Sequence, residues 1–357
     1  MQKVIVIGAG IIGAVSAYYL QSSGAQVTVV DAGKNNATAA SFGWMNASFF
    51  VNEDHFHLRN EGLEAYRRLA KKLDIPVNWS GCLCWENEGD AFERQFQSLR
   101  ALDYPVESID AASFRELEPL VTTPPEKCLL LRSEASLESH ETASRLLEAA
   151  VDMGARLLTG IEVEGFIEQN DCIVGTDTTV GPITAEKVLI AAGTGSATLS
   201  AKLDLNIPML DRPALILKTK PVKQKLRHIL VSEIGEVRQL PDGSLLMPTT
   251  VGHQGDKANR IEEPLEKTAD LALGRLRKLL PSLSLELAEV TLAFRPFPSD
   301  DLPVVGALKP GSYIATMHSG ITLAAIMGEL ISTEILHGPS NETSKWLAPY
   351  RPQRFNL

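Results

Sequence analysis

Val4-Ile5-Val6-Ile7-Gly8-Ala9-Gly10-Ile11-Ile12-Gly13, read on to Asp31, decides the fold. Val4 to Ile7 has the composition of a strand buried on both faces. The glycines at 8, 10 and 13 open a helical stretch, Ala14 to Ser22, which Gly24 ends. A second strand, Val27-Thr28-Val29-Val30, closes on Asp31. Strand, glycine turn, helix, strand and acid within about thirty residues form a dinucleotide-binding unit. Gly8 permits the tight turn, Gly10 lets backbone approach a pyrophosphate, and Gly13 lets the helix lie close on the sheet. Ala9, Ile11 and Ile12 share that turn, whose amides and partial positive charge face the phosphates. Asp31, followed by Ala32, accepts from a ribose, and its charge disfavours the phosphorylated ribose of NADP. The apolar run after Lys3 mimics a signal peptide, and it falls just short of the roughly 20 residues of a membrane span. The three glycines decide against both, and no transmembrane segment is expected.

The chain has 357 residues, enough for two domains, and 44% of them are hydrophobic, which suits a sizeable core. Lys and Arg total 34 against 44 Asp and Glu, a net charge of -10. That balance argues against nucleic acid, whose phosphates need a basic face, and against a polybasic membrane anchor. An anionic partner, if the protein has one, must therefore be attracted locally. The stretch 206–260 has nine Lys and Arg against five Asp and Glu; a solvated face is its default explanation, and drawing in a small anion is the alternative. Cys82, Cys84, Cys128 and Cys172 are too few and too scattered for a disulfide scaffold, and no H-E-x-x-H occurs. Reduced thiols, no metal and a cytoplasmic location are expected, with peripheral membrane association if a quinone is the electron acceptor.

Helical periodicity runs from about His55 to Leu73, Ala91 to Leu102, Glu141 to Met153, Leu265 to Leu280 and from His318 to about Leu336. Short strands fall at 156–158, 162–164 and 172–174. A buried strand, Ala185-Glu186-Lys187-Val188-Leu189-Ile190-Ala191-Ala192-Gly193, ends on small residues and a glycine. The region 208–246 reads as hairpin-like, with Pro241-Asp242-Gly243 as a turn. The glycine motif alone does not separate FAD from NAD. Its companion segments are spread over the start, middle and end of the chain, which favours FAD.

Those segments, Gly8-x-Gly10-x-x-Gly13 with Asp31, Ser41 with Gly43, Ile190-Ala191-Ala192-Gly193, Phe294-Arg295-Pro296, Asp301-x-Pro303-x-x-Gly306 and Ser319-Gly320-Ile321-Thr322, resemble the D-amino-acid oxidase (DAO) superfamily of FAD-dependent oxidoreductases. Glycine oxidase and sarcosine oxidase belong to it. The resemblance runs from Val4 to about Leu336. It implies an α/β fold: an FAD-binding Rossmann-like domain from residues 1–76, 137–207 and 294–357, with an interleaved α+β substrate domain, mostly antiparallel sheet, from 77–136 and 208–293. It also implies non-covalent FAD and oxidation of a C–N bond in a small carboxylate-bearing amino acid or secondary amine. A hydride passes to flavin N5, the resulting imine hydrolyses, and oxygen or a quinone takes the electrons.

By the same resemblance Arg295 grips the substrate carboxylate; the alternative is a structural arginine near Asp300 or Asp301. Ser41, Phe42, Gly43, Trp44, Met45 and Asn46 run along the isoalloxazine. Trp44 is either pocket wall or core aromatic, and Asn46 bonds either substrate or its own loop. Val163 meets the adenine or is an ordinary strand valine. Amides at Gly320, Ile321 and Thr322 face the flavin N1–C2=O edge. His318 neighbours flavin or substrate, or is simply packed, and His253 approaches the flavin or is solvated. Three departures bear on substrate. Arg212 precedes a proline where many relatives have glycine, Ser139-His140 replaces an acid-proline pair, and the relatives' pocket tyrosines have no clear counterpart between 208 and 250. Two other readings compete: an NAD-linked dehydrogenase, and a non-catalytic flavin-binding subunit of a larger complex.

Overall fold

A computed structural model describes residues 1–34, 36–251, 258–261 and 263–355. The strand β1 (Lys3–Ile7) lies inside a six-stranded sheet beside β2 (Gln26–Asp31). Sheet order is Val304–Ala307, Ser312–Thr316, Lys187–Ile190, β1, β2 and Arg156–Thr159, and only the Val304–Ala307 edge runs antiparallel. Val4 and Val6 enter one hydrophobic cluster while Ile5 and Ile7 enter another. A strand buried on both faces must be apolar at every position, which explains the unbroken run.

One face of this sheet is covered by α1 (Ile11–Ser22) and the helices Ser139–Asp152 and Gly320–His337. The other face carries an antiparallel three-stranded sheet, Val163–Gln169, Cys172–Thr178 and Gly181–Thr184. Helix α2 (Glu53–Leu69) begins at Asn52, whose side chain accepts the His55 N–H, and packs on Gly320–His337. Gly62 permits that approach, since a Cβ there would lie 2.6 Å from the Thr322 carbonyl oxygen. Gly320–His337 is long and apolar enough to cross a membrane, but 72% of it is buried inside the fold, as befits a core helix.

An eight-stranded sheet comes from two stretches of chain. Its order is Leu287–Phe294, Pro213–Thr219, Leu245–Pro248, Gly235–Gln239, Ile229–Ser232, Cys82–Cys84, Lys127–Leu131 and Val106–Asp110. The turn read at 241–243 joins two of these strands. The hairpin reading of 208–246 stops at Ile229–Ser232, which pairs parallel with Cys82–Cys84. Helix Leu265–Leu279 buries Ala269, Ala272, Leu273 and Leu276 in the core beneath this sheet. Pairing of Pro213 with Phe294 sets Arg295 at the strand's end, where its N–H donates to the Arg212 carbonyl at 2.9 Å. Cys82, Cys84 and Cys128 are buried, and all four cysteines are free thiols.

Candidate active site

The glycine turn is built by contact distances. Gly8 has φ +105°, and a Cβ there would stand 2.5 Å from the Ala191 carbonyl oxygen. A Cβ on Gly13 would stand 1.9 Å from the Gly8 oxygen. Gly10 differs, since its Cβ would meet only Thr38 Oγ1, at 3.2 Å, leaving the turn open on that side. Thr38 Oγ1 accepts the Ile11 N–H at 3.0 Å, while the Ile12 and Gly13 amides lie in the first turn, beyond the reach of the helical ladder. Asp31 accepts from Ala9 N–H and Gly33 N–H, each at 2.8 Å. A carboxylate has about four acceptor positions, so capacity for a ribose remains. Past Ala32, Ile161 N–H bonds the Asp31 carbonyl at 3.0 Å, which brings the strand beginning at Val163 to the end of β2. Gly193, φ +56°, follows Ala192 just beyond the Lys187–Ile190 strand. An uncrowded glycine, helix-end amides and an acid fit the pyrophosphate and ribose of a dinucleotide.

The loop 41–46 is fastened on both sides. Ser41 Oγ accepts the Gly43 N–H at 3.0 Å, and the Phe42 carbonyl accepts from Arg238 Nε. Arg238, itself buried, also donates to Glu138 at 2.7 Å. Trp44–Met45 pairs with Ser136 and Ala135, and both side chains are buried. Trp44 Nε1 donates to Glu134 at 2.9 Å. Ser48 Oγ at 2.5 Å and the Tyr104 hydroxyl at 3.2 Å donate to the other oxygen of that carboxylate.

Burial pushes the Glu134 carboxyl up to about 7, against the pull of its three donors. Between its ordinary value of 4.5 and about 7, the folded chain keeps a proton that the unfolded chain releases. This contribution is full below the lower value and is lost as pH rises through the upper one, a difference of about 3 kcal/mol. In Glu134→Gln the amide oxygen still accepts from Trp44, and the rotatable hydroxyls of Ser48 and Tyr104 accept from its N–H groups. Chemical denaturation across pH 4 to 8 is expected to show a flatter stability profile than wild type.

Asn46 lies at the centre of the remaining network. Its N–H reaches Thr322 Oγ1 at 3.3 Å. Arg59, on α2, donates to the Asn46 carbonyl at 3.0 Å, to Asn46 Oδ1 at 2.5 Å and to Ser319 Oγ at 2.6 Å. These bonds tie the loop to the start of Gly320–His337, while the Tyr66 hydroxyl donates to the Ile321 carbonyl at 2.8 Å. Burial draws the Arg59 guanidinium down to about 10, with the charge of Glu134 opposing, so it stays cationic at neutral pH. Beside it opens a cleft of about 300 Å³, with Phe50, His55, Arg59, Phe297, His318 and Ser319 in its walls. The His318 and Phe297 rings have centroids 4.5 Å apart, and the Arg295 guanidinium lies 5.5 Å from the Phe297 centroid. The structure thus brings Arg295 and His318 to one aromatic ring, with Asn46 reached through Arg59 and Ser319. His253 lies outside the described residues. Asp300, the neighbour weighed for a structural Arg295, receives two bonds from Arg354, at 2.7 and 3.1 Å.

Arg59, Glu134, Arg238, His55 and Thr38 escaped the sequence reading. Arg59 did leave a signal: it sits on the buried stripe Phe56, Gly62, Leu63, Tyr66, where a lone arginine is out of place.

The family model described as DAO, FAD dependent oxidoreductase, matches residues 3–333. The chain belongs to the DAO family of FAD-dependent oxidoreductases. It is 24% identical to a glycine oxidase of Pseudomonas aeruginosa, over 98% of each chain. Among solved structures, glycine oxidase from Geobacillus kaustophilus superposes with a TM-score of 0.88 at 21% identity, over 99% of each chain. L-Proline dehydrogenase from P. horikoshii gives 0.88 at 20% identity, over 99% of this chain and 98% of that one. Membership makes FAD the cofactor and oxidoreduction the class of activity, which displaces the NAD-linked and non-catalytic alternatives.

Proposed function

We propose that this DAO-family protein oxidises the C–N bond of a small carboxylate-bearing amine, of the glycine, sarcosine, iminodiacetate, proline or D-amino-acid type. The observation that carries this reading is the meeting of Arg295 and His318 on Phe297 at the cleft. FAD, when bound, supplies the redox chemistry by accepting a hydride at N5, and the product imine hydrolyses. The Gly8–Gly13 turn with Asp31 holds the dinucleotide end. The loop 41–46 and the first turn of Gly320–His337 hold the ring system. Arg295 forks onto the carboxylate with two parallel hydrogen bonds and so fixes the α-carbon. Phe50 and Phe297 give the cleft apolar walls, and an amine that arrives neutral needs no general base. The names of the relatives, glycine oxidase and L-proline dehydrogenase, support a small amino acid or secondary amine.

The test is anaerobic mixing of the holoprotein with glycine, sarcosine, iminodiacetate, proline and D-amino acids while flavin absorbance is followed. At least one is expected to bleach the flavin and release the carbonyl compound and amine of its hydrolysed imine. Readmitting oxygen, or a quinone, then identifies the acceptor. A flavin that dithionite bleaches but no carboxylate-bearing amine does would overturn the reading.

A further inference from the structure

One helical turn of α2 puts into the cleft wall two side chains with hydrogen-bond donors that the carboxylate grip at Arg295 does not use. His55 is 3% exposed and lines the cleft. Its Nδ1 accepts the Val51 N–H at 3.3 Å, so the neutral ring carries its proton on Nε2, and that atom has no partner. Burial, with the charge of Arg59 adding, holds the ring neutral far below its usual range. Arg59, four residues on, is 5% exposed and also lines the cleft. Its three bonds go to neutral oxygens of Asn46 and Ser319, and among the described residues it forms no ion pair. A guanidinium has five N–H donors; the acid acting on Arg59, Glu134, spends its oxygens on Trp44, Ser48 and Tyr104, and a buried charge without a contacting counter-charge is costly unless a ligand supplies one. Both side chains therefore call for an acceptor, and the guanidinium calls for an anionic one. Phe50 and Phe297 line the cleft and supply apolar surface for a short methylene chain, and Phe297 carries the Arg295 guanidinium 5.5 Å from its ring centroid.

We propose that His55 and Arg59 form a second anion subsite and that the substrate is a dicarboxylic amine. One carboxylate sits on Arg295 and the other on α2. This rests on the amine-oxidising reading, yet it is tested without turnover. The holoprotein is titrated with succinate against butyrate and with glutarate against valerate, reading perturbation of the flavin absorbance. Each diacid is expected to bind about tenfold or more tightly than its monoacid, as a further charge-assisted bond implies. His55→Leu is expected to shrink that gap severalfold while leaving monoacid binding within about twofold. His55→Gln, which keeps an N–H donor, is expected to restore most of it. The histidine is the better probe, because losing Arg59 also cuts the bonds to Asn46 and Ser319. Equal binding of diacid and monoacid in wild type overturns the subsite, as does a gap untouched by His55→Leu. If the diacid preference holds while no amine bleaches the flavin, the subsite stands and the oxidation reading fails. If monocarboxylic amines bleach it and diacids gain nothing, the reverse is true.

Discussion

Gly13→Ala is expected to yield a protein that retains no FAD and melts well below wild type. The added Cβ would lie 1.9 Å from the Gly8 carbonyl oxygen and 2.9 Å from its carbonyl carbon. Both are backbone atoms, so no side chain can swing aside. Gly8 in turn is pressed against Ala191, and its N–H bonds the Val30 carbonyl at 2.8 Å. Relief therefore requires α1 to lift from the sheet or the turn between β1 and α1 to open. Either movement displaces the Ile12 and Gly13 amides, which on the proposed reading face the pyrophosphate. Overpacking in well-packed interiors costs about 1–3 kcal/mol and occasionally more, and a clash with unyielding backbone belongs at the upper end. The ratio of flavin to protein absorbance and a thermal melt check the two parts separately. Gly10→Ala is the contrast: its Cβ meets only Thr38 Oγ1 at 3.2 Å. It is expected to fold normally and lose FAD affinity alone. Full flavin content in Gly13→Ala would contradict this account of the turn.

What made this unit legible in the sequence is that its constraints are local. β1 is sandwiched between two apolar clusters, so every residue reports burial. Gly13 is demanded by a neighbour within the same thirty-residue unit and Gly8 by the end of one adjoining strand. The periodicity of α2 was legible for the same reason, but the chemistry on it was not. Arg59 finds its acceptors 13 and 260 residues away along the chain, and Glu134 finds its donors 30, 86 and 90 residues away. No window of sequence contains such a network. The same holds for the parallel pairing of Ile229–Ser232 with Cys82–Cys84, which a hairpin reading cannot anticipate. Arg295 stands between these cases. Its motif marked the residue, while its setting beside Arg212 and Phe297 follows from the pairing of Pro213 with Phe294.

That setting makes Arg295→Ala a clean experiment. The backbone N–H of residue 295 donates to the Arg212 carbonyl, a bond that alanine keeps, so the strand end and the Phe297 ring are expected to stay in place. Flavin content should match wild type. On the proposed reading the lost fork removes two charge-assisted hydrogen bonds, each contributing about 1.5–3 kcal/mol. At roughly 1.4 kcal/mol per tenfold change, KM for a carboxylate-bearing amine is expected to rise by about two orders of magnitude or more. The turnover number should fall as well, because an untethered α-carbon no longer sits in one orientation. Arg295→Lys keeps the charge but not the planar fork, and is expected to recover binding without recovering turnover. An amine lacking a carboxylate serves as the internal control, since its weak reaction should be indifferent to residue 295. If KM in Arg295→Ala is unchanged, the carboxylate is held elsewhere, and the buried guanidinium in the cleft wall, Arg59, is the next candidate.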